Sequence, residues 1–446
     1  MTQELAVWMN GQYVGVWSKS NQNVSKFQYA ESWMLSEYSR PLSNSLPINP
    51  QDGLVKGEAV TNYFDNLLPD SPEIRNRIQE KFKTKSTDVY ELLRAIGRDC
   101  VGAVQLMPMG EAPLGFDQIN SKKLTDSEVA EALISASTGR VLGQNVDEDF
   151  FRISIAGAQE KTALLRYQDS WHLPLKSTPT THIFKLPLGL IGGERKIDMT
   201  TSIENEWLCS KLFEKLGFDV AKTEISVFDG YKALIVERFD RKWMDNDSWI
   251  ARLPQEDFCQ VFGLPSTKKY EVDEGPGIYD ILKYLNGSDN KHNNLQQFLT
   301  SQFVFWLIAA TDGHAKNFSV KINSGGGYEL TPLYDILSAW PVIGSSGNQL
   351  QYKKVKLAMA IRTNNAHYKI DEIHARHWLE LCRKTGLEEA FDLMVGINTD
   401  MEHVIEALRE DLPEGFPMGL FDSLVNGIIK QVNRFKSGLE ALAKLQ

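Results

Sequence analysis

FVFWLIAATDGHAKNFSVKINSGGGYELTPLYDILSAW, residues 303–340, is the most informative run in the chain. Its first eight residues are apolar on every side, which suits a buried helix rather than a surface one and makes the residues after it the cargo of that helix. Gly313 then interrupts the pattern, so TDGHAKN is expected as a loop. The β-branched and aromatic FSVKI that follows reads as a strand. Gly325, Gly326 and Gly327 supply a turn into a second short strand, YELTP, and the hairpin returns Asp335 toward Asn317. An acid (Asp312), an amide five residues on (Asn317) and a second acid (Asp335) are thereby expected at one edge. Asp-Gly and Gly-Gly-Gly are also ordinary turn formers, so the rest of the chain has to decide whether this edge carries chemistry.

Phosphoryl transfer from ATP uses such a set. One carboxylate lies near the attacking hydroxyl, while an Asn carbonyl and a second carboxylate hold Mg²⁺, which prefers oxygen ligands. Protein kinases also place their catalytic Asp and metal-binding Asn five apart.

The bulk properties admit this reading. The 446 residues, 42% hydrophobic and 24% charged, are enough for several domains with sizeable cores. No apolar run approaches the ~18 residues of a membrane span. The start of the chain is acidic where a secretory signal needs base, so a cytoplasmic location is expected. Cys100, Cys209, Cys259 and Cys382 are scattered without a CxxC and read as reduced, mostly buried thiols. His374 and His377 have no second ligand pair nearby and read as surface helix histidines rather than zinc ligands. Forty-eight basic and 58 acidic side chains give a net charge of −10, which argues against a chain coated with nucleic acid but allows a local basic patch.

In chain order, AVWMNGQYVGVW alternates about an Asn10-Gly11 hairpin turn. Helices are expected within 58–82, with Asp70 or Ser71 capping ahead of Pro72, and over 88–99, followed by a strand in VGAVQLMP. Residues 151–167 read as two strands flanking AGAQEK, whose small residues Ala156, Gly157 and Ala158 would let backbone amides approach a phosphate. THIFKLP is a strand with Lys185 on the face opposite His182 and Phe184. SIENEWLCSKLFEKLG reads as an amphipathic helix carrying Glu206, with Glu204 as its competitor for pairing with Lys185. The strand of 231–241 ends abruptly in charge, where a kinase would place the hinge that holds adenine through backbone groups. RLPQEDFCQVFGLP and PGIYDILKYLNG read as helices, and beyond about residue 345 the chain is expected to be helical, with Arg376, Arg383 and Lys384 on one basic face.

Six runs in this order, RISIAGAQEKTALL, HIFKLP, VERFDR, RLPQEDFCQVFG, TDGHAKNFS and LTPLYDILSA, resemble the HipA family of serine/threonine kinase toxins over almost the whole chain. The resemblance implies an α+β fold: a small N-terminal subdomain, then a protein-kinase-like, phosphoinositide-kinase-like two-lobe core with an all-helical C-terminal part. The expected boundaries are 1–145 for the N-terminal α+β domain, 146–240 for the N-lobe, 241–345 for the catalytic and metal-binding core and 346–446 for the helical domain. It implies ATP and Mg²⁺ as cofactors, Asp312 as catalytic base, and Asn317 and Asp335 as metal ligands. Ala156, Gly157, Ala158, Gln159, Glu160 and Lys161 would cover the phosphates and Lys185 would hold them. Glu237, Arg238 and Phe239 would form the adenine hinge, with His314, Ala315, Lys316 and Tyr334 completing the nucleotide site. Ser154 matches the family's autophosphorylated serine. Arg383, with Lys384 in place of a missing basic residue near Gly386, matches its DNA contact. The implied substrate is a serine of glutamyl-tRNA synthetase, and the implied partners are a HipB-like, DNA-binding antitoxin dimer and, through it, operator DNA. A small-molecule kinase on the same core and a catalytically silent corepressor are the alternatives. Against ordinary protein kinases the chain lacks GxGxxG, has Ile336-Leu337 after the metal Asp and has no Ala-Pro-Glu, so no activation-loop switch is expected.

Overall fold

The Asn10-Gly11 pair forms the tight turn that its sequence demands: Asn10 and Gly11 take φ of 45° and 77°, and Met9 pairs with Gln12 across them. The computed structural model describes residues 3–20, 22, 24–138, 159–193 and 196–444. They divide into two compact, interleaved units. The first unit takes residues up to Leu186, then Ser226–Lys269 and Ser319–Tyr328; the second takes Pro187–Ile225, Tyr270–Phe318 and Glu329 onward.

In the first unit a five-stranded antiparallel sheet runs in the order Leu54–Lys56, Ser25–Tyr29, Gln12–Lys19, Gln3–Met9, Val104–Pro108. Its alternating apolar residues face the helices Glu58–Asp65 and Val89–Ile96, and Trp17 stacks on Phe64 at 4.1 Å between ring centres. Ser71 caps Pro72–Phe82 by accepting from the Ile74 N–H, with Pro72 in the first turn where its missing donor is harmless. A second antiparallel sheet includes, in order, Tyr231–Glu237, His182–Lys185, Lys161–Tyr167, Ser170–Pro174 and Ser121–Lys123. Phe184, Leu164 and Ile235 on one of its faces pack with Val129, Ala130 and Leu133 of the helix Asp126–Thr138.

A buried ion cluster lies in this unit. Asp99 accepts from Arg241 (2.9 Å) and Arg252 (3.2 Å) on one oxygen and from the Thr180 hydroxyl (2.7 Å) and backbone N–H (3.1 Å) on the other. Arg238 grips Asp240 with two nitrogens at 3.0 and 2.8 Å and donates to the Cys100 carbonyl at 2.8 Å. Burial opposes the charge on Asp99, but the Arg241, Arg252 and Arg238 guanidiniums together hold its carboxyl well below the usual range. Asn10 closes the cluster from the hairpin tip, exchanging bonds of 2.9 and 2.8 Å with the Arg252 backbone.

The second unit is mainly helical. The helices Lys291–Leu307, Ala375–Thr385 and Met418–Ala443 meet through Phe303, Trp306, Trp378 and Phe435. Gly427 lets the last helix close on the Trp340 ring, which lies 2.1 Å from where its Cβ would be. All four cysteines are buried thiols.

Four local expectations change. Ser202–Lys215 is buried almost all round, Glu204 and Glu206 included, rather than amphipathic. Most of RLPQEDFCQVFGLP is not helical: Gln255–Asp257 pairs as a strand with Ser319–Ile322, leaving a four-residue helix, Phe258–Val261. The C-terminal part adds a hairpin, Lys356–Arg362 with Ala366–Lys369, to its helices, because burial of LAMAI overrides the helical propensity of Leu, Ala and Met. His377 is buried, not superficial; its ring stacks on His367 at 4.0 Å, and burial with the His367 and Arg376 charges pushes it down to about 4.

Removing one partner of a buried ion cluster leaves the others uncompensated, so Asp99→Ala should destabilise the protein by about 3–5 kcal/mol in chemical denaturation. Loss under 1 kcal/mol would contradict the cluster's structural role. Glu256 gives a pH test. Burial, then Asp257 beside it, pushes its carboxyl up to about 8, although it accepts the Asn44 N–H at 2.9 Å. The unfolded carboxyl titrates near ~4, so between these values the folded state holds the extra proton, and this group's stabilisation is complete at low pH and declines as pH rises toward 8. The midpoint of Glu256→Gln relative to the parent's should rise steadily as pH increases from about 4 to about 8. Parallel pH profiles would contradict that assignment.

Candidate functional site

The end of the Lys291–Leu307 helix sets the geometry of the candidate site. A helix leaves its last carbonyls without partners, and here a later segment supplies them. Trp340 Nε1 donates to the Leu307 carbonyl (2.9 Å), Ser338 Oγ to Ile308 (2.6 Å) and the Ala339 N–H to Ala309 (3.1 Å). Asn205 of the buried helix completes the clamp. Its side chain donates to the Ser338 carbonyl at 2.8 Å and accepts from the Ser338 N–H at 3.0 Å. A little upstream the Ala221 N–H binds the Leu333 carbonyl and the Leu333 N–H binds that of Asp219, at 2.9 and 2.8 Å. Asp335 lies between these two anchors.

The loop after the helix faces that segment. The Asn317 Nδ2 donates to the Asp335 carbonyl at 3.2 Å, and the Tyr334 hydroxyl donates to the Lys316 carbonyl at 2.9 Å. A carbonyl only accepts, so the amide nitrogen of Asn317 must face Asp335, which turns its Oδ1 the other way as an acceptor. Asp335 takes a φ of +59°, a left-handed conformation unusual for a side chain beyond Gly and held by the anchors on both sides. Ala315, Lys316 and Asn317 form a buried single turn. Asp312 differs: its side chain is 59% exposed, open to an incoming group. Its Oδ1 accepts from the Tyr270 hydroxyl and lies 3.8 Å from Nε2 of the buried His314. The structure thus brings Asp312, His314, Ala315, Lys316, Asn317, Tyr334 and Asp335 into one loop pair.

Of the other expected residues, Gln159, Glu160, Lys161, Lys185 and Glu237 to Phe239 belong to the first unit, and Arg383 and Lys384 to the second. Lys161 and Lys185 are direct partners in the register of adjacent antiparallel strands, so the two side chains leave the same face of the sheet side by side. Lys185 is buried. Gln159 donates to the Leu186 carbonyl at 2.7 Å, and Glu160 pairs with Arg77 of the Pro72–Phe82 helix at 2.5 Å. Ser154, Ala156, Gly157 and Ala158 lie outside the described residues. Glu237 ends its strand opposite His182 and is exposed, while Phe239 is half-buried. Arg238 is committed elsewhere: its guanidinium belongs to the buried cluster and its N–H to the Thr181 carbonyl. Arg383 is exposed in the last turn of Ala375–Thr385, whereas the Lys384 ammonium meets Glu380 at 2.9 Å and Asn364 at 3.2 Å.

Two Mg²⁺ ligands from protein, the rest from phosphate and water, need no larger acidic cage. Among the described residues there is no group of three or more His, Cys, Asp or Glu that could hold a metal ion. The Oδ1 of Asn317 and the carboxylate of Asp335 are oxygen donors of the kind a hard cation takes. Sequence reading missed Tyr270 and the Asn205 to Ser338 clamp. Neither carried a local signal: the helix of Asn205 reads as amphipathic from its sequence, and Tyr270 lies in an aperiodic loop.

Comparison with known proteins gives a consistent picture. Residues 153–415 match the HipA-like C-terminal domain family and residues 5–107 the HipA N-terminal domain family. A putative kinase, Y4mE, of Sinorhizobium fredii is 28% identical over 86% of this chain and 86% of its own. The serine/threonine-protein kinase toxin HipA of Shewanella oneidensis is 28% identical over 70% of this chain and 69% of its own. The solved Shewanella oneidensis toxin-antitoxin complex of HipA, HipB and operator DNA superposes with a TM-score of 0.80 at 21% identity, covering 99% of this chain and 100% of that one, which shows a shared fold. Among the described residues no helix is long and apolar enough to cross a membrane.

Asn205→Ala would strand the Ser338 N–H and C=O in a dry interior, at about 1–3 kcal/mol for each unsatisfied group. The variant should unfold at lower denaturant and lose phosphotransfer activity more steeply than stability. Parent-like stability and activity together would contradict the clamp.

Proposed function

The chain belongs to the HipA-like kinase family, and on that footing we propose that it is a Mg²⁺- and ATP-dependent serine/threonine kinase acting as the toxin of a toxin-antitoxin pair. The observation that carries the reading is the convergence of Asp335 on Asn317, with Asp312 exposed beside them. In it, Asp312 receives the proton of a substrate serine as that oxygen bonds to the γ-phosphorus and the bond from phosphorus to the β-bridging oxygen breaks, releasing ADP. Asn317 Oδ1 and the Asp335 carboxylate hold the ion, which when bound neutralises charge on the β- and γ-phosphates. Lys185, with Lys161 as its direct cross-strand partner, supplies positive charge to the phosphates. Backbone groups of Glu237 and Phe239 take the adenine edge, since both Arg238 donor sets are engaged.

The remaining elements of the proposal rest on family membership. The protein substrate is a serine of glutamyl-tRNA synthetase, met in the cytoplasm. Ser154 is the autophosphorylation site, where roughly −1.5 to −2 added charges beside a phosphate-binding turn would expel the turn and end activity. A HipB-like antitoxin joins the chain to operator DNA, in keeping with the Shewanella oneidensis complex that contains HipA, HipB and operator DNA together. Exposed Arg383 is the stronger candidate for the DNA contact, because Lys384 already faces Glu380.

The test is transfer of labelled γ-phosphate to glutamyl-tRNA synthetase. Asp312→Asn should lower kcat by ~10² or more with ATP still bound, the scale of general-base catalysis. An unchanged rate would refute the assignment. With the antitoxin present, Arg383→Ala should make the salt dependence of operator binding shallower by about one unit of slope. An unaltered slope would return that residue to solvent.

A further inference from the structure

Tyr270 belongs to none of the expected sites, yet its hydroxyl donates to Oδ1 of Asp312. His314 converges on the same oxygen, its Nε2 3.8 Å away, and meets the Tyr270 ring edge-on at 4.9 Å and 85°. The Tyr270 hydrogen bond, with the His314 ring packed against the phenol, orients the carboxylate so that its other oxygen, Oδ2, is presented as the proton acceptor.

The loop that carries Tyr270 is held from behind. Glu271, the next residue, accepts from the Ala360 N–H at 2.6 Å and from Arg362 Nε at 2.6 Å, and pairs with Arg362 Nη2 at 2.5 Å. Its carboxylate is 6% exposed, while the Arg362 side chain that it binds is 46% exposed, so the pair is charge-assisted but partly solvated. The Tyr270 carbonyl is itself tied to the Asp273 and Gly275 N–H groups at 3.0 and 2.9 Å. The 356–369 hairpin, which sequence reading took for helix, is thus the support of this loop. A loop pinned at the residue beside Tyr270 is suited to hold the phenol on Asp312 rather than to swing it away as a gate.

We propose that Tyr270 is a positioning residue for phosphotransfer, fixing Asp312 through Oδ1 so that Oδ2 meets the substrate hydroxyl. The inference rests on the kinase reading of Asp312 and adds a residue to it. The acceptor proton passes to Oδ2 while the oxygen bonds to phosphorus and ADP leaves; the phenol keeps its own proton throughout. A carboxylate free to rotate would spend less time in the productive orientation, and small misplacements of a reacting group cost rate rather than binding.

The experiment compares the parent, Y270F and D312N in steady-state transfer to the protein substrate, with thermal melting of each. Y270F keeps the ring against His314 and should melt with the parent. Its kcat should fall roughly 10-fold while the KM values for ATP and for protein hold, as expected for an interaction that orients the base only for the chemical step. E271Q, which keeps the phenol but loosens its anchor, should also lower kcat, by less. Three results overturn the proposal: parent-like kcat in Y270F, a loss carried by KM, or a rise in rate showing that the phenol merely blocks the base. D312N separates the two claims. Full activity in D312N sinks the base assignment and this proposal with it, whereas an inactive D312N beside a parent-like Y270F sinks Tyr270 alone.

Discussion

The candidate site depends on how one buried helix ends. Lys291–Leu307 brings its terminal carbonyls into a dry interior, where an unpaired carbonyl is costly, and the donors of Ser338, Ala339 and Trp340 satisfy them. Those bonds fix the segment just after Asp335, while Ala221 and Asp219 fix the segment just before it. A residue held from both sides can keep a left-handed backbone, and Asp335 does. Asn317 then binds its carbonyl, which brings the amide and the acid together, with exposed Asp312 on the same loop as Asn317. The chemistry proposed for the chain is a consequence of this way of closing a helix.

A different solution serves the first unit. Three arginines and two aspartates are buried together, and each of the charges is bonded to an opposite one. Asp99 comes from the N-terminal segment, Arg238 from the end of a sheet strand, and Arg252 from a hairpin that Asn10 grips. Such clusters add little net stability over an apolar contact, but they penalise every arrangement that leaves one charge unpaired. The VERFDR run therefore has a structural explanation for its charges alongside the hinge proposed for its backbone.

The sequence made legible what is local. The buried helix, the Asp312 loop, the glycine turn and the return of Asp335 followed from apolar run length and turn chemistry, as did the Asn10-Gly11 hairpin and the Ser71 cap. Illegible were features made by distant partners. Nothing around Asn205 names Ser338 as its partner, and nothing around Tyr270 names Asp312. LAMAI has helical propensity and becomes a strand through burial, and His377 looks like a surface residue until His367 stacks on it. Glu206 was placed on a helix correctly, but the burial of that helix on nearly all sides was hidden because Glu, Asn and Ser occupy positions that periodicity treats as exposed.

If Asn317 and Asp335 hold the ion through which the chain binds ATP, removing one of them must uncouple nucleotide affinity from Mg²⁺. Calorimetric titration of ATP into the parent and into Asp335→Ala, each with and without Mg²⁺, reads that coupling. Mg²⁺ should strengthen ATP binding to the parent, and this strengthening should be lost in Asp335→Ala, with the weak metal-free affinity alike in both. Equal Mg²⁺-dependent affinity in the two proteins would contradict the assignment.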